Sequence, residues 1–239
     1  MDFKNELIKL IDQGVKGLVI DLRGNGGGSM EDATQILRLF TNSNEILWNV
    51  EYSRSVETSQ KSGLIPAENL NGFERIFFGP LVVLIDNASV SASELSASAL
   101  KSLGKAIVVG APQSFGKGSM QIRNEIDVGG YMLTEALFFN RDGYSPQFYG
   151  VPADIVIKNA ELSLSESMEK DRPNAIAPRP LFAVNESYLH VTTSVISEIP
   201  LLKERSLQRQ NEIEKSESPD PVLEESLSIL SDWVELLKE

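Results

Sequence analysis

The 239-residue chain has no cysteine and a single histidine, His190. Disulfides, thiolate nucleophiles and cysteine-ligated zinc are thereby excluded, and one imidazole cannot build a histidine-rich metal site. Basic surface is scarce as well. Lysine and arginine number 22 against 34 aspartates and glutamates, a formal net charge of -12. Nucleic acid is therefore not an expected partner, because phosphate binding needs a basic face. No apolar run approaches the roughly 18 residues of a membrane helix, so no transmembrane segment is expected. The opening "MDFKNELIKLIDQG" is amphipathic and has neither the charged start nor the apolar middle of a signal peptide. Neither an internal repeat nor a low-complexity block is present.

What remains is an ordinary globular composition, 41% hydrophobic and 23% charged, with length enough for a real core. Phe3, Leu7, Leu10 and Ile11 share one helical face that Gly14 ends. "GLVIDL" (17–22) reads as a buried strand, "RGNGGG" as a tight loop, and "SMEDATQILRLF" as a helix with Ser29 as its N-cap. The logic repeats with strand "PLVVLID", helix 93–103, a stop at Gly104 and strand "AIVVG". "YMLTEALFFN" and "ADIVI" read as further strands around the turn "RDGYS". This β–α–β alternation predicts an α/β fold with a mostly parallel, mixed sheet and helices on its faces.

The composition changes near residue 159, which divides the chain into a core (1–158) and a tail region (159–239). Residues 160–239 carry 16 acidic and 8 basic side chains. Segment 161–180 is expected to be extended or irregular. In the tail Leu223, Leu227, Leu230, Val234 and Leu237 form one apolar seam after "SPDP", which predicts a helix packed on the core or on a partner. Oligomer or adaptor contacts would go through that helix.

The chemistry concentrates in "NASVSASE", residues 87–94, at the junction of a strand and a helix. Read structurally, Ser91 and Glu94 are a capping box, Ser at N-cap and Glu three residues on. "GAPQSFGKGSMQ" (110–121) then sets a lysine between two glycines just after the next strand. In a parallel β–α–β unit both loops open on the same sheet edge, so Ser91 and Lys117 can meet there. A lysine serves as general base when burial lowers its pKa towards neutrality. Gln121, four residues on, could orient the ammonium. The N–H of Ala92 lies at the positive end of a helix, and "GNGGG" (24–28) offers further amides for an oxyanion.

These three segments, "GLVIDLRGNGGG", "SVSASE" and "SFGKGSMQ", resemble the C-terminal processing peptidases, or tail-specific proteases. The resemblance implies a serine endopeptidase with Ser91 as nucleophile, Lys117 as base and Gln121 as its orienting partner. It also implies oxyanion donors at Ala92 and Gly27, protein or peptide substrates, no cofactor and a periplasmic or cell-envelope setting. "RDGYSPQFYGVPADIVI" is similar to the family's close of the catalytic core, and "SPDPVLEESLSIL" to the end of its longer periplasmic members. The family's signal peptide, PDZ domain and early core strand have no counterpart here, so the chain reads as the C-terminal part of such an enzyme.

Other readings rest on less. "GAPQSFGKG" approaches a phosphate-binding loop, but five residues separate Gly110 from Gly116, and Gly118 stands where Ser or Thr belongs. The S-x-x-K spacing at Ser98–Lys101, Ser102–Lys105 and Ser114–Lys117 has no K-T-G after it. His190 has no nucleophile elbow near it. The rivals to a peptidase are an inactive remnant or protein-binding module of the same ancestry, and acyl-CoA chemistry of the crotonase type.

Overall fold

The computed structural model describes residues 3–52, 63–66, 74–160, 168–177, 196–213 and 218–238; His190 lies outside them. Four strands, β1 (Leu18–Asp21), β4 (Leu81–Ile85), β5 (Ile107–Gly110) and β8 (Ile155–Val156), form a parallel sheet in the order β1-β4-β5-β8. Leu18 pairs with Leu81, Val82 with Ile107 and Val109 with Ile155. A second, antiparallel sheet has the order β3-β2-β7-β6, from β2 (Ile46–Tyr52), β3 (Gly63–Pro66), β6 (Ser119–Ile126) and β7 (Gly129–Asn140). The α/β class with a parallel sheet is as expected from the sequence. The antiparallel strands build a sheet of their own.

Every residue of β4 is buried because both faces of its sheet are covered. Leu81, Val83 and Ile85 point into one cluster, with Leu37 of α2 (Met30–Arg38), Leu95 and Leu100 of α3 (Ala92–Ser102) and Phe138 of the second sheet. That cluster also takes Leu7 of α1 (Phe3–Asp12). Val82 and Leu84 point into the other, with Leu202 of α4 (Ile199–Ile213) and Ile229 and Trp233 of α5 (Pro221–Leu236). Ser29 caps α2 as expected, its side chain accepting from Asp32 N–H at 3.1 Å.

The described tail is thus the second cover of the parallel sheet. The expected helix forms at Pro221–Leu236, but the face it buries carries Val222, Ile229, Leu230 and Trp233, while Leu227 and Leu237 of the expected seam are exposed. Asp220 caps it by accepting from Leu223 N–H at 2.9 Å. A Cβ built on Gly17, just before β1, would lie 2.7 Å from Leu230 Cδ1, so helix and strand touch without room for a side chain. Helix α4 carries little apolar periodicity. Gln210 anchors it instead, donating to Val156 O at 2.8 Å and accepting from Lys158 N–H at 3.1 Å beside the edge strand β8. Arg209 and Arg205 then pair with Glu225 and Asp232 of α5. Between the two regions a 3-10 turn at Glu169–Asp171 lies within the segment expected to be irregular.

A tail that covers a core is energetically unlike a tail that rests on one. Ile229 is 0% exposed, so Ile229→Ala should lower stability in urea by about 2–5 kcal/mol. Leu227, on the same helix and 50% exposed, should tolerate alanine within about 0.5 kcal/mol. Equal, small losses at both positions would show that the helix is not part of the core.

Candidate active site

The loops after β1, β4 and β5 meet on the edge of the sheet formed by the strands' C-terminal ends. Asp86, fully buried, binds the first two together, accepting from Gly24 N–H through both carboxylate oxygens at 3.0 and 3.1 Å. Ser89 adds a hydroxyl bond to Leu22 O at 2.7 Å. Asn25 O accepts from Val90 N–H at 2.9 Å and from the Ser93 hydroxyl at 3.0 Å. Two of the three serine hydroxyls in "SVS" and its flanks are therefore structural.

Ser91 is the third. It occupies the N-cap of α3 with φ 58° and ψ -113°, and its side chain makes no capping hydrogen bond. That backbone conformation suits glycine, and an L-residue holds it at a cost of about 1–3 kcal/mol. A strained strand-to-helix turn that leaves a hydroxyl unspent is how nucleophilic serines are presented. The acidic half of the capping box is formed by Glu94 Oε2, which accepts from Ser91 N–H at 2.8 Å.

Glu94 does far more than cap. Its side chain is fully buried and accepts four hydrogen bonds. Oε1 takes the Ser114 hydroxyl and Gly116 N–H, both at 2.6 Å. Oε2 takes Lys117 N–H at 2.7 Å beside that of Ser91. One carboxylate oxygen thereby joins the backbone of the serine turn to the backbone of the lysine loop. Burial pushes this carboxyl up to about 7 against the pull of its donors. Proton uptake there removes an acceptor from a group ringed by donors.

Lys117 is half-buried, and its Nζ donates to Ser119 O at 3.1 Å. Desolvation holds its pKa below the ordinary lysine value, while the negative charges of Glu169 and Glu94 pull the other way. The flanking glycines are required by space. A Cβ on Gly116, at φ +108°, would meet Phe148 backbone at 3.1 Å, and one on Gly118 would meet Gln147 N at 2.6 Å.

Gln121 makes no hydrogen bond to the lysine. Strand β6 carries it onto the exposed hairpin, past a register shift between Met120 and Gln121, where it donates to Thr134 Oγ1 at 3.3 Å. Gly27, at φ +93°, packs directly on the serine turn, and a Cβ there would lie 2.8 Å from Ser91 Cβ and 3.0 Å from Ala92 N. Its N–H is held by Asn25 Oδ1 at 3.0 Å. Ala92 is the first residue of α3, where an N–H has no acceptor within the helix. An apolar cleft of about 480 Å³ opens beside these residues, lined by Gly27, Gly28 and Ala92 together with Ile20, Leu22, Ile36 and Leu37. Sequence reasoning missed Glu94 as the hub and Ser114 as its partner. The capping-box signature marked Glu94, but only for the helix end.

If Glu94 holds the site together, Glu94→Gln must leave at least one buried donor facing an amide NH2. A loss of about 2–4 kcal/mol in denaturant unfolding is expected, from donors left unmet in the interior. Unchanged stability would mean that the four bonds are not formed in solution.

Residues 1–157 match the model of peptidase family S41. The chain is 35% identical over 147 residues to a carboxy-terminal-processing protease of Bartonella bacilliformis, covering 60% of this chain and 31% of that one. It is 36% identical over 143 residues to the carboxy-terminal processing protease CtpA of Bacillus subtilis, covering 58% and 28%. The chain thus spans about a third of the length of these relatives. Among solved structures it is similar to a photosystem II D1 C-terminal processing protease, with a TM-score of 0.52 and 27% identity over 64% of this chain and 38% of that one. The fold alone is shared with a lipoprotein of Streptococcus agalactiae, at a TM-score of 0.54 and 17% identity over 66% and 56% of the two chains. The chain belongs to peptidase family S41.

Proposed function

We propose that the chain carries the catalytic site of a serine endopeptidase that cuts proteins near their C-termini through a Ser91–Lys117 dyad. The observation that carries this reading is the shared Glu94 oxygen, which joins a strained serine with a spare hydroxyl to a half-buried lysine. Neutral Lys117 removes the Ser91 proton as Oγ attacks the scissile carbonyl. The negative oxygen that forms faces Ala92 N–H at the positive end of α3. Gly27 N–H is the second donor, exchanging Asn25 Oδ1 for the substrate oxygen. Lys117 ammonium then gives its proton to the leaving amine, which leaves an ester on Ser91. Water, deprotonated by Lys117, hydrolyses that ester and frees the serine.

The apolar cleft next to Ala92 and Gly27 receives a side chain of the substrate beside the cut bond, and its walls favour an aliphatic one. Ser119 O, as the lysine's hydrogen-bond acceptor, fills the orienting role expected of Gln121. An extracytoplasmic setting is part of this reading, supported by the likeness to carboxy-terminal processing proteases. Among the described residues no helix is long and apolar enough to cross a membrane.

A base that must be neutral gives activity that rises with pH through its depressed pKa, and ionisation of Glu94 near 7 adds to the same rise. Cleavage of an unfolded protein should therefore increase from pH 6 to pH 9. Lys117→Arg should be as inactive as Ser91→Ala, since a guanidinium does not deprotonate in a protein. Turnover retained in purified Lys117→Arg, above the Ser91→Ala background, would rule out the dyad.

A further inference from the structure

Arg23 opens the glycine loop, and the proposed chemistry gives it no part. Its Nε and Nη2 donate to Asp21 at 3.0 and 2.7 Å. Its Nη1 and Nη2 also reach Asp220, at 3.0 Å to Oδ1 and 2.6 Å to Oδ2. Asp220 lies 197 residues along the chain and is the N-cap of α5. One carboxylate therefore starts the tail helix and grips the glycine loop in two parallel bonds, the strong geometry for arginine and carboxylate. The guanidinium side chain is 20% exposed and the Asp220 carboxylate 38%, so the pair is partly open to screening and rests on its paired geometry.

The rest of the loop is bound to the serine turn. The residue after Arg23 donates to Asp86, the next accepts from Val90 and Ser93, and Gly27 rests on Ser91. Helix α5 meets this stretch of chain at both ends, Leu230 against Gly17 before β1 and Asp220 on Arg23 after it. Three residues separate Arg23, which the tail grips, from Gly27, which packs on the serine.

We propose that Asp220 is a positioning residue: by its two bonds to Arg23, the C-terminal helix sets the glycine loop against Ser91. The effect on rate rests on the peptidase reading, while the effect on the loop does not. Whatever lifts the start of α5, a partner protein or a second copy, releases Arg23 and loosens the oxyanion side of the site.

Asp220→Asn in the full chain separates the two duties of this side chain. Its amide oxygen still accepts from Leu223 N–H and caps the helix, but the charged double bond to Arg23 is lost. Hydrogen exchange read by mass spectrometry should show residues 22–28 opening about tenfold more often, with α5 unchanged. Fluorophosphonate labelling of Ser91 should slow about tenfold, equivalent to about 1.4 kcal/mol. Arg23→Lys should do the same, and the double variant should be no slower than either single one. Loop exchange equal to wild type would overturn the proposal, as would equal loosening of loop and helix, which marks a cap and nothing more. If wild type is never labelled, the peptidase reading fails, and the exchange comparison still decides the role of Asp220.

Discussion

A carboxylate with no exposure to water governs the geometry of this edge of the sheet. Burying such a charge without partners costs several kcal/mol, so Glu94 is tolerable only where donors surround it. Those donors are the amides of Ser91, Gly116 and Lys117 and the hydroxyl of Ser114. The same bonds that satisfy the charge hold Ser91 at its positive φ and fix where the lysine loop can run. The placement of Ser91 and Lys117 is in this sense a by-product of satisfying one buried anion.

The sheet supplies the rest. In a parallel sheet ordered β1-β4-β5-β8, three neighbouring strands end on one edge, and their loops carry glycines, serine and lysine in that order. Asp86 closes the gap between the first two loops as Glu94 closes that between the second and third. Each junction uses a buried acid whose partners are chiefly backbone amides. Such acids bind geometry and tolerate variation in the side chains around them.

Much of this edge could be read in the sequence because β1, β4 and β5 are short apolar runs followed by glycine or serine. The burial of β4 on both faces also agrees with its unbroken run "LVVLI". The second sheet was harder to see. Of its strands β7 is legible as "YMLTEALFFN", whereas β6 alternates Met120, Ile122 and Ile126 with polar residues but is largely exposed, so its alternation marks no core face. Helix α4 escaped for a related reason, since Gln210 and Ser206 anchor it through polar bonds. Spacing and resemblance both point to Gln121 as the partner of Lys117, whereas in the structure Gln121 hydrogen-bonds to Thr134 and the lysine to Ser119 O. Contacts such as Arg23 with Asp220 have no local signature at all, because the fold alone brings the residues together.

If Ser91 takes up an acyl group with Lys117 as its base, the acylated serine itself can be weighed. Wild type and Lys117→Ala would each be mixed with an activated peptide ester across a range of pH and quenched in acid. The peptide carrying Ser91 would then be analysed by mass spectrometry. An acyl adduct on Ser91 should form faster as pH rises in wild type and be nearly absent in Lys117→Ala. An adduct on another residue, or one that forms equally fast without the lysine, would contradict the dyad.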